Sequence, residues 1–305
     1  MIIGVEFLFC FTLCGTVCLA SPKPLIVWRE SFERGTQSPL YSIYTRLYCA
    51  NKQYVNMLQC THAHTIIMVQ SLLNEEGLAK VERVANMTQE ALNQGNYAQA
   101  TALWGEAEGV IESLTDNVDF YNILLHNVPD EGSVKSGRGP GRGLELAAMR
   151  HVMRLQQESL SQLMNGPIRQ KLGDIPTNVT WGGQANDVFV KQTVDFMKDV
   201  VSTVDELLMK GVTVVVYTGQ LDLIVDTMGT LAWIERLKWS GLPDFMTASR
   251  DPLYPPSGMP TNDTGAFLQT HENFSVFWIM KAGHMVPADA GEMALEMVKM
   301  IIGVD

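Results

Sequence analysis

Two residues able to move protons each follow a run of apolar, β-branched residues. Asp222 comes shortly after the run at 212–216, and His284 lies in Gly-His-Met-Val-Pro, directly after the run at 274–280. If both runs are buried strands, both side chains stand on loops at one edge of a sheet. A histidine placed there acts as a general base, while a carboxylate behind it orients the imidazole and stabilises its protonated form. The spacing therefore predicts the acid–base pair of an acyl-transfer site.

The elements that must hold these two loops alternate between strands and helices. This alternation predicts an α/β fold for the carboxy-terminal part of the chain, at 166–305. Strands are predicted at 213–217, 266–270 and 275–280, helices at 187–209, 227–237 and 288–302, and a Pro-rich loop at 240–262.

A predominantly helical unit is predicted to precede this part, at 67–165. Apolar residues recur there at three- and four-residue steps, and the turn at 93–96 between the first two helices is too polar to bury. Because the stretch is nearly all helical, we expect it to be separate from the sheet. The predicted helices lie at 66–92, 97–115, 144–163 and 168–172, with a Gly-rich loop at 129–143.

No serine in the 305 residues stands in the pattern Gly-x-Ser-x-Gly. The most similar segment is Glu-Ser-Phe-Glu-Arg-Gly around Ser31, where Arg29 and Glu33 occupy positions that need small residues. A nucleophile elbow requires small residues because its turn is tight and closely packed. The sequence therefore predicts an acid and a base, with no nucleophile found.

Composition excludes several classes of partner. A net charge of -11 argues against binding to nucleic acid and to anionic membrane surfaces, which attract lysine- and arginine-rich proteins. A hydrophobic fraction of 46% predicts a packed core. The cysteines and histidines at 49–64 match no structural zinc spacing, and no Gly-Lys-Ser/Thr phosphate loop is present. We therefore predict neither a metal nor a cofactor.

The amino terminus has the apolar character of a secretory signal at residues 1–20, although it lacks a preceding lysine or arginine. The alternative is a buried apolar segment. Residues 21–66 predict no element, and no later apolar run is long enough to span a membrane. Sequons at Asn86, Asn178 and Asn262 favour the secretory route as glycosylation sites, whereas the sequon at Asn273 opens a predicted strand.

Three motifs resemble those of the serine carboxypeptidases, most closely the retinoid-inducible branch of that family. The first is TVVVYTGQLDLIVDTMGTLAWIERLKW at 213–239, and the second is FWIMKAGHMVPADAGEMALEMVKMI at 277–301. The third, SQLMNGPIRQKLG at 161–173 followed by TWGGQANDVF, resembles the segment that joins the family's helical cap to its sheet. The resemblance covers about 68–303, whereas residues 21–66 are unlike the family.

The resemblance implies the carboxy-terminal part of an α/β-hydrolase fold with a helical cap insertion. The nucleophile-bearing amino-terminal half is missing from the resemblance, so we expect an incomplete sheet. Asp222 matches the family's triad acid and His284 its base, and Met285 is expected near the substrate pocket. Many members carry an aspartate where this chain has Gln220.

The activity implied is hydrolysis of carboxy-terminal peptide bonds through a Ser-His-Asp triad, with a peptide as substrate. We expect the chain as it stands to be inactive because the serine is absent. The alternative is a non-catalytic secreted form that binds or regulates through its helical cap. The resemblance further implies an extracellular or lysosomal location on the secretory route and suggests a homodimer.

Overall fold

The computed structural model describes residues 17–20, 72–127, 158–181, 190–255 and 263–303 of the 305-residue chain. The strands are β1 (Val17–Ala20), β2 (Thr213–Gly219), β3 (Asp251–Leu253), β4 (Ala266–His271) and β5 (Phe274–Ile279). The helices are α1 (Glu75–Asn93), α2 (Tyr97–Leu114), α3 (Glu158–Leu163), α4 (Arg169–Leu172), α5 (Val201–Met209), α6 (Thr227–Ile234), α7 (Leu242–Thr247), α8 (Val286–Asp289) and α9 (Gly291–Ile302), with a π-helical turn at Met164–Ile168 between α3 and α4.

Within the described residues the strands form one mixed sheet in the order β1-β2-β5-β4-β3. The central pair, β2 and β5, is parallel, with Gly219 opposite Ile279 at its end. The other pairs are antiparallel. Since β2 and β5 run in the same direction, the loops that follow them emerge at the same edge, as the sequence predicts for Asp222 and His284.

Successive side chains of the two central strands point to opposite faces of the sheet, and both faces are buried. Val214 and Val216 of β2 lie in one hydrophobic cluster, and Val215 and Tyr217 lie in a second. Parallel sheets carry such continuous apolar strands because both faces are covered. On the second face the cover comes from α9, whose Met293 and Met297 are buried, together with Ala294. The expected α/β architecture with an incomplete sheet is confirmed.

The helical unit shares its core with the first face of the sheet. Its α1 begins at Glu75 because the Asn74 carboxamide accepts a hydrogen bond from Gly77 N at 2.8 Å. Trp104 of α2 packs on Phe196 with ring centroids 4.9 Å apart, and Thr101 Oγ1 donates to Thr193 O at 2.8 Å. The cluster that contains Trp104 also contains the β2 and β5 side chains of this face. The helices therefore share one continuous hydrophobic cluster with the sheet layer.

Two predicted elements differ from the structure. The helix expected at 187–209 is interrupted. Residues 190–191 are helical, residues 192–197 form turns held by the contacts that Thr193 and Phe196 make with α2, and α5 begins at Val201. The loop expected at 240–262 contains helix α7 and strand β3. Pro243 lies in the first turn of α7 and Pro252 in an edge strand, the positions where proline disturbs neither element.

Several predictions fall on residues outside the described part of the chain. These include the signal peptide apart from its last four residues, which pair with β2 as strand β1, and the segment at 21–66 with Ser31. They also include the Gly-rich loop, most of the helix predicted at 144–163, and Asn262. The boundaries of the cap at 67–165 remain a prediction.

Candidate active site

Asp222 lies on a tight loop that follows β2. The loop is pinned to the neighbouring one because Gln220 N donates to Ile279 O at 2.9 Å and Leu221 N donates to Ala282 O at 2.8 Å. The aspartate itself is only 2% exposed. Its Oδ1 accepts a hydrogen bond from Val225 N at 2.9 Å, which fixes the carboxylate plane.

His284 lies on the loop after β5 and reaches this carboxylate. Its Nδ1 is 2.9 Å from Asp222 Oδ2, and the two side chains are 16% and 3% exposed. An ionised carboxylate only accepts hydrogen bonds, so Nδ1 of the neutral imidazole carries the proton and Nε2 has the free lone pair. The arrangement leaves Nε2 able to take a proton from a nucleophile while Asp222 stabilises the resulting cation.

Two glycines allow the loops to come this close. A Cβ on Gly219 would lie 2.2 Å from the carbonyl oxygen of Gly283 and 2.5 Å from that of Ala282. A Cβ on Gly283 would lie 2.0 Å from the carbonyl oxygen of Tyr121. No side chain fits in such gaps, so the contact between the two loops depends on glycine at both positions.

A segment of the helical unit completes the site, and sequence reasoning did not identify it. Residues 119–123 follow α2 and run across both loops: His284 N donates to Tyr121 O at 2.7 Å, and Ile123 N donates to Leu221 O at 3.0 Å. Asp119 Oδ1 holds this segment in its turn by accepting from Tyr121 N at 2.7 Å. The only signal in the sequence was a pair of turn-forming residues, Asp119 and Asn122, after a helix end.

Tyr121 also contacts the imidazole directly. Its ring meets that of His284 edge-on, with centroids 5.0 Å apart and an angle of 75° between the planes. Burial raises the pKa of the Tyr121 phenol above its ordinary value, and the charges of Glu108 and Asp222 act in the same direction. The phenol therefore stays neutral, and its ring restricts the histidine on one side.

A second acid lies buried beside the pair. Asp226 is fully buried, and its Oδ1 caps α6 by accepting from Gly229 N at 2.6 Å. Within the described part of the chain its Oδ2 has no hydrogen-bond partner. Burial raises the pKa of Asp226 from 3.8 to about 7; the Gly229 hydrogen bond opposes this shift, and the charge of Asp222 adds to it. At mildly acid pH this carboxyl is neutral.

The remaining predicted site residues have these positions. Met285 is partly buried and follows His284 at the start of α8, and Gln220 is exposed beside Asp222. Asn86 and Asn178 are exposed. The Asn273 carboxamide is engaged instead, because its Nδ2 donates to Leu208 O at 3.0 Å and to Val212 O at 2.7 Å.

No group of three or more His, Cys, Asp or Glu side chains in the part of the chain that the structure describes is arranged to hold a metal ion. Over the same residues, no helix combines the length and the apolar character that crossing a membrane requires.

Comparison with known proteins gives a consistent result. The serine carboxypeptidase family matches residues 48–303. The human retinoid-inducible serine carboxypeptidase is 50% identical over 231 residues, which are 76% of this chain and 51% of that protein. Serine carboxypeptidase-like 51 of Arabidopsis thaliana is 37% identical over 237 residues, 75% of this chain and 51% of that protein. The chain thus spans about half the length of the curated relatives it matches.

A solved structure supports the fold independently. A prohormone-processing carboxypeptidase from Saccharomyces cerevisiae superposes with a TM-score of 0.57 at 17% identity, covering 82% of this chain and 52% of that one. At this identity the likeness concerns the fold alone.

Proposed function

The chain belongs to the serine carboxypeptidase family, and on this premise we propose that Asp222 and His284 are the acid and the base of a site that hydrolyses carboxy-terminal peptide bonds. The observation that supports these roles is the 2.9 Å contact between His284 Nδ1 and the buried Asp222 carboxylate. It orients the imidazole so that Nε2 is the nitrogen available to a hydroxyl or a water molecule.

The proposed roles are restricted by the missing nucleophile. Because the 305 residues contain no Gly-x-Ser-x-Gly, we propose that the acid and base do not form an acyl-enzyme on this chain alone. Residual chemistry is then limited to water activated by His284. Such a reaction lacks oxyanion donors, each of which contributes about 2.7 to 4 kcal/mol to the transition state.

The acid–base role is tested with an activated ester, p-nitrophenyl acetate, which needs no serine. We expect His284→Ala to lower the rate by about 10²-fold, the lower end of what a positioned general base contributes. Asp222→Asn should lower it as well, because the imidazole loses the acceptor that fixes its tautomer. The matched control is His271→Ala, a histidine on β4 outside the site, which should keep the wild-type rate. An unchanged rate in His284→Ala would refute the acid–base role.

The absence of a nucleophile is tested separately. A fluorophosphonate probe reacts with activated serines, and intact-mass analysis of the treated protein detects any adduct. We expect no adduct on the protein. We also expect that the chain alone releases no carboxy-terminal residues from a peptide. A stable adduct on a serine of this chain would contradict the proposed lack of a nucleophile and leave the acid–base role intact.

A second function is favoured by the same sequence observation. Without a nucleophile, the buried cores shared by α1, α2 and the sheet still provide a folded scaffold. In this alternative the protein is a non-catalytic secreted form that binds or regulates through its helical cap. Peptide binding measured by calorimetry, together with ester hydrolysis unaffected by His284→Ala, would favour this function over the first.

Four further properties belong to this proposal. The substrate is a peptide, and Met285 contributes to its pocket because it is adjacent to the base. Asn86 and Asn178, both exposed, carry sugars on the secretory route, with Asn262 as a third acceptor. The protein is extracellular or lysosomal. It forms a homodimer.

A further inference from the structure

The Asp289 carboxylate joins two parts of the molecule next to the base. Its Oδ2 accepts from Gly283 N at 2.8 Å, the backbone of the residue that precedes His284. The same oxygen accepts from Asn122 Nδ2 at 3.2 Å. Gly283 belongs to the loop after β5, and Asn122 belongs to the segment that the helical unit places across the site. One side-chain oxygen thus connects the histidine loop to the helical unit.

We propose that Asp289 is a positioning residue that holds His284 in register with Asp222; this inference rests on the proposed acid–base role of the pair. The hydrogen bond to Gly283 N fixes the peptide between Ala282 and Gly283, and the N–H of the next peptide, that of His284, is itself bound to Tyr121 O at 2.7 Å. The two successive backbone N–H groups that lead into His284 are therefore held, one by Asp289 and one by the segment containing Asn122.

The atoms around Gly283 explain why the hydrogen bond from Asp289 is needed. Gly283 must pass within van der Waals contact of residues 121–122, since a Cβ there would meet Tyr121 O at 2.0 Å and Asn122 Cβ at 2.9 Å. A glycine in that position contributes no side chain that resists local rotation. The hydrogen bond from Asp289 supplies the missing restraint, and through Asn122 it restrains the opposing segment as well.

An alternative role for this acid is weaker. Asp289 lies two residues before α9, where a negative charge favours a helix amino terminus. Its carboxylate makes hydrogen bonds to Gly283 and Asn122, and no side-chain hydrogen bond caps α9. A purely structural effect on α9 predicts changes in helix stability. The positioning role predicts changes in the proton held between His284 and Asp222.

The test measures that proton by NMR in the full chain, together with amide exchange at Gly283. In Asp289→Ala we expect exchange of the Gly283 amide to accelerate by roughly two- to tenfold, the equilibrium value of one hydrogen bond. We also expect the signal of the His284 Nδ1 proton to be lost through faster exchange with water. Asp289→Asn should restore both signals, because a carboxamide oxygen also accepts two hydrogen bonds.

Two further variants control the measurement. Glu292→Ala removes an exposed acid in the first turn of α9 and should leave both signals as in the wild type. Asn122→Ala should accelerate exchange at Gly283 less than Asp289→Ala, and the two changes together should be less than additive, because both remove one shared contact.

The proposal is overturned if folded Asp289→Ala retains the wild-type His284 signal. If that variant does not fold, Asn122→Ala decides, and unchanged exchange of the Gly283 amide there overturns the proposal. Failure of the proposed function is recognised differently. It appears as ester hydrolysis that does not depend on His284 in the wild-type background, whereas the NMR signals report the positioning directly.

Discussion

Gly219 and Gly283 bring the loops that carry Asp222 and His284 into backbone contact: a Cβ on Gly219 would lie 2.2 Å from the carbonyl oxygen of Gly283. Gly219 ends β2, and Gly283 lies on the loop that follows the adjacent parallel strand β5. Their close approach is what places Asp222 Oδ2 and His284 Nδ1 2.9 Å apart across 62 residues of sequence.

We predict that Gly219→Ala destabilises the fold and separates the pair. The added methyl group meets backbone atoms that have no rotamer to change, and overpacking of this kind costs about 1 to 3 kcal/mol. Urea unfolding measures the loss. The matched control is Gly109→Ala in α2, where nothing lies within 4 Å of the added Cβ and the gain in helix propensity should stabilise by up to about 1 kcal/mol. Equal effects of the two changes would contradict the steric explanation.

Stability should depend on pH through Asp226. Burial raises its pKa from 3.8 to about 7, so the native carboxyl stays protonated over a range in which the unfolded chain has it ionised. The contribution of Asp226 to the free energy of unfolding is therefore fully present below about pH 4 and is lost as pH rises through about 7. The loss is on the order of 4 kcal/mol at most.

Asp226→Asn tests this pH dependence without removing the helix cap, because asparagine caps helices equally well. We expect the free energy of unfolding to fall less between pH 4 and pH 7 in Asp226→Asn than in the wild type. The exposed acid Glu235 provides the control, and Glu235→Gln should keep the wild-type slope. A wild-type slope in Asp226→Asn would exclude Asp226 as the titrating group.

The helical unit should unfold together with the sheet layer. Trp104→Ala removes a side chain that is 3% exposed and packs on Phe196, and such a loss costs about 3 to 5 kcal/mol. Trp104→Phe should lose less because much of the contact area is kept. Because the core is shared, we expect circular dichroism and sheet-side tryptophan fluorescence to report one coincident transition in the wild type. Separate transitions would show that the helices form an independent unit.

Expression in a host that glycosylates secreted proteins distinguishes the sequons. We expect sugars at the exposed Asn86 and Asn178 and none at Asn273, whose amide nitrogen already donates to Leu208 O and Val212 O. Peptide mapping by mass spectrometry measures each site. Asn86→Gln should remove one glycan mass, whereas Asn273→Gln should change no glycan and should destabilise the protein. A glycan at Asn273 would be incompatible with the hydrogen bonds described.

The elements that carry the acid and the base were predictable from local pattern. β2 and β5 show near-continuous apolar runs, each followed by a short polar loop, and burial on both faces of a sheet requires this composition. The helices α1 and α2 were equally clear, since their apolar periodicity and the polar turn between them are properties of neighbouring residues.

The local sequence pattern predicted two elements wrongly, and tertiary contacts explain both differences. The turns at 192–197 replace a predicted helix because Thr193 and Phe196 are engaged by α2. Proline positions suggested a loop at 240–262, although proline is compatible with the first turn of α7 and with the edge strand β3. Periodicity cannot report either effect, because both depend on partners distant in sequence.

Residue types and strand ends pointed to Asp222 and His284 as a pair, and this prediction needed only the local sequence pattern. Three contacts arise only when the chain is folded. They are the 2.9 Å hydrogen bond between Asp222 and His284, the backbone hydrogen bond from His284 to Tyr121, and the hydrogen bond from Gly283 N to Asp289. Each joins segments whose order in the chain says nothing about their distance in space. Backbone hydrogen bonds and close glycine contacts cannot be predicted from side-chain types. They form only when three loops that are distant in sequence pack together.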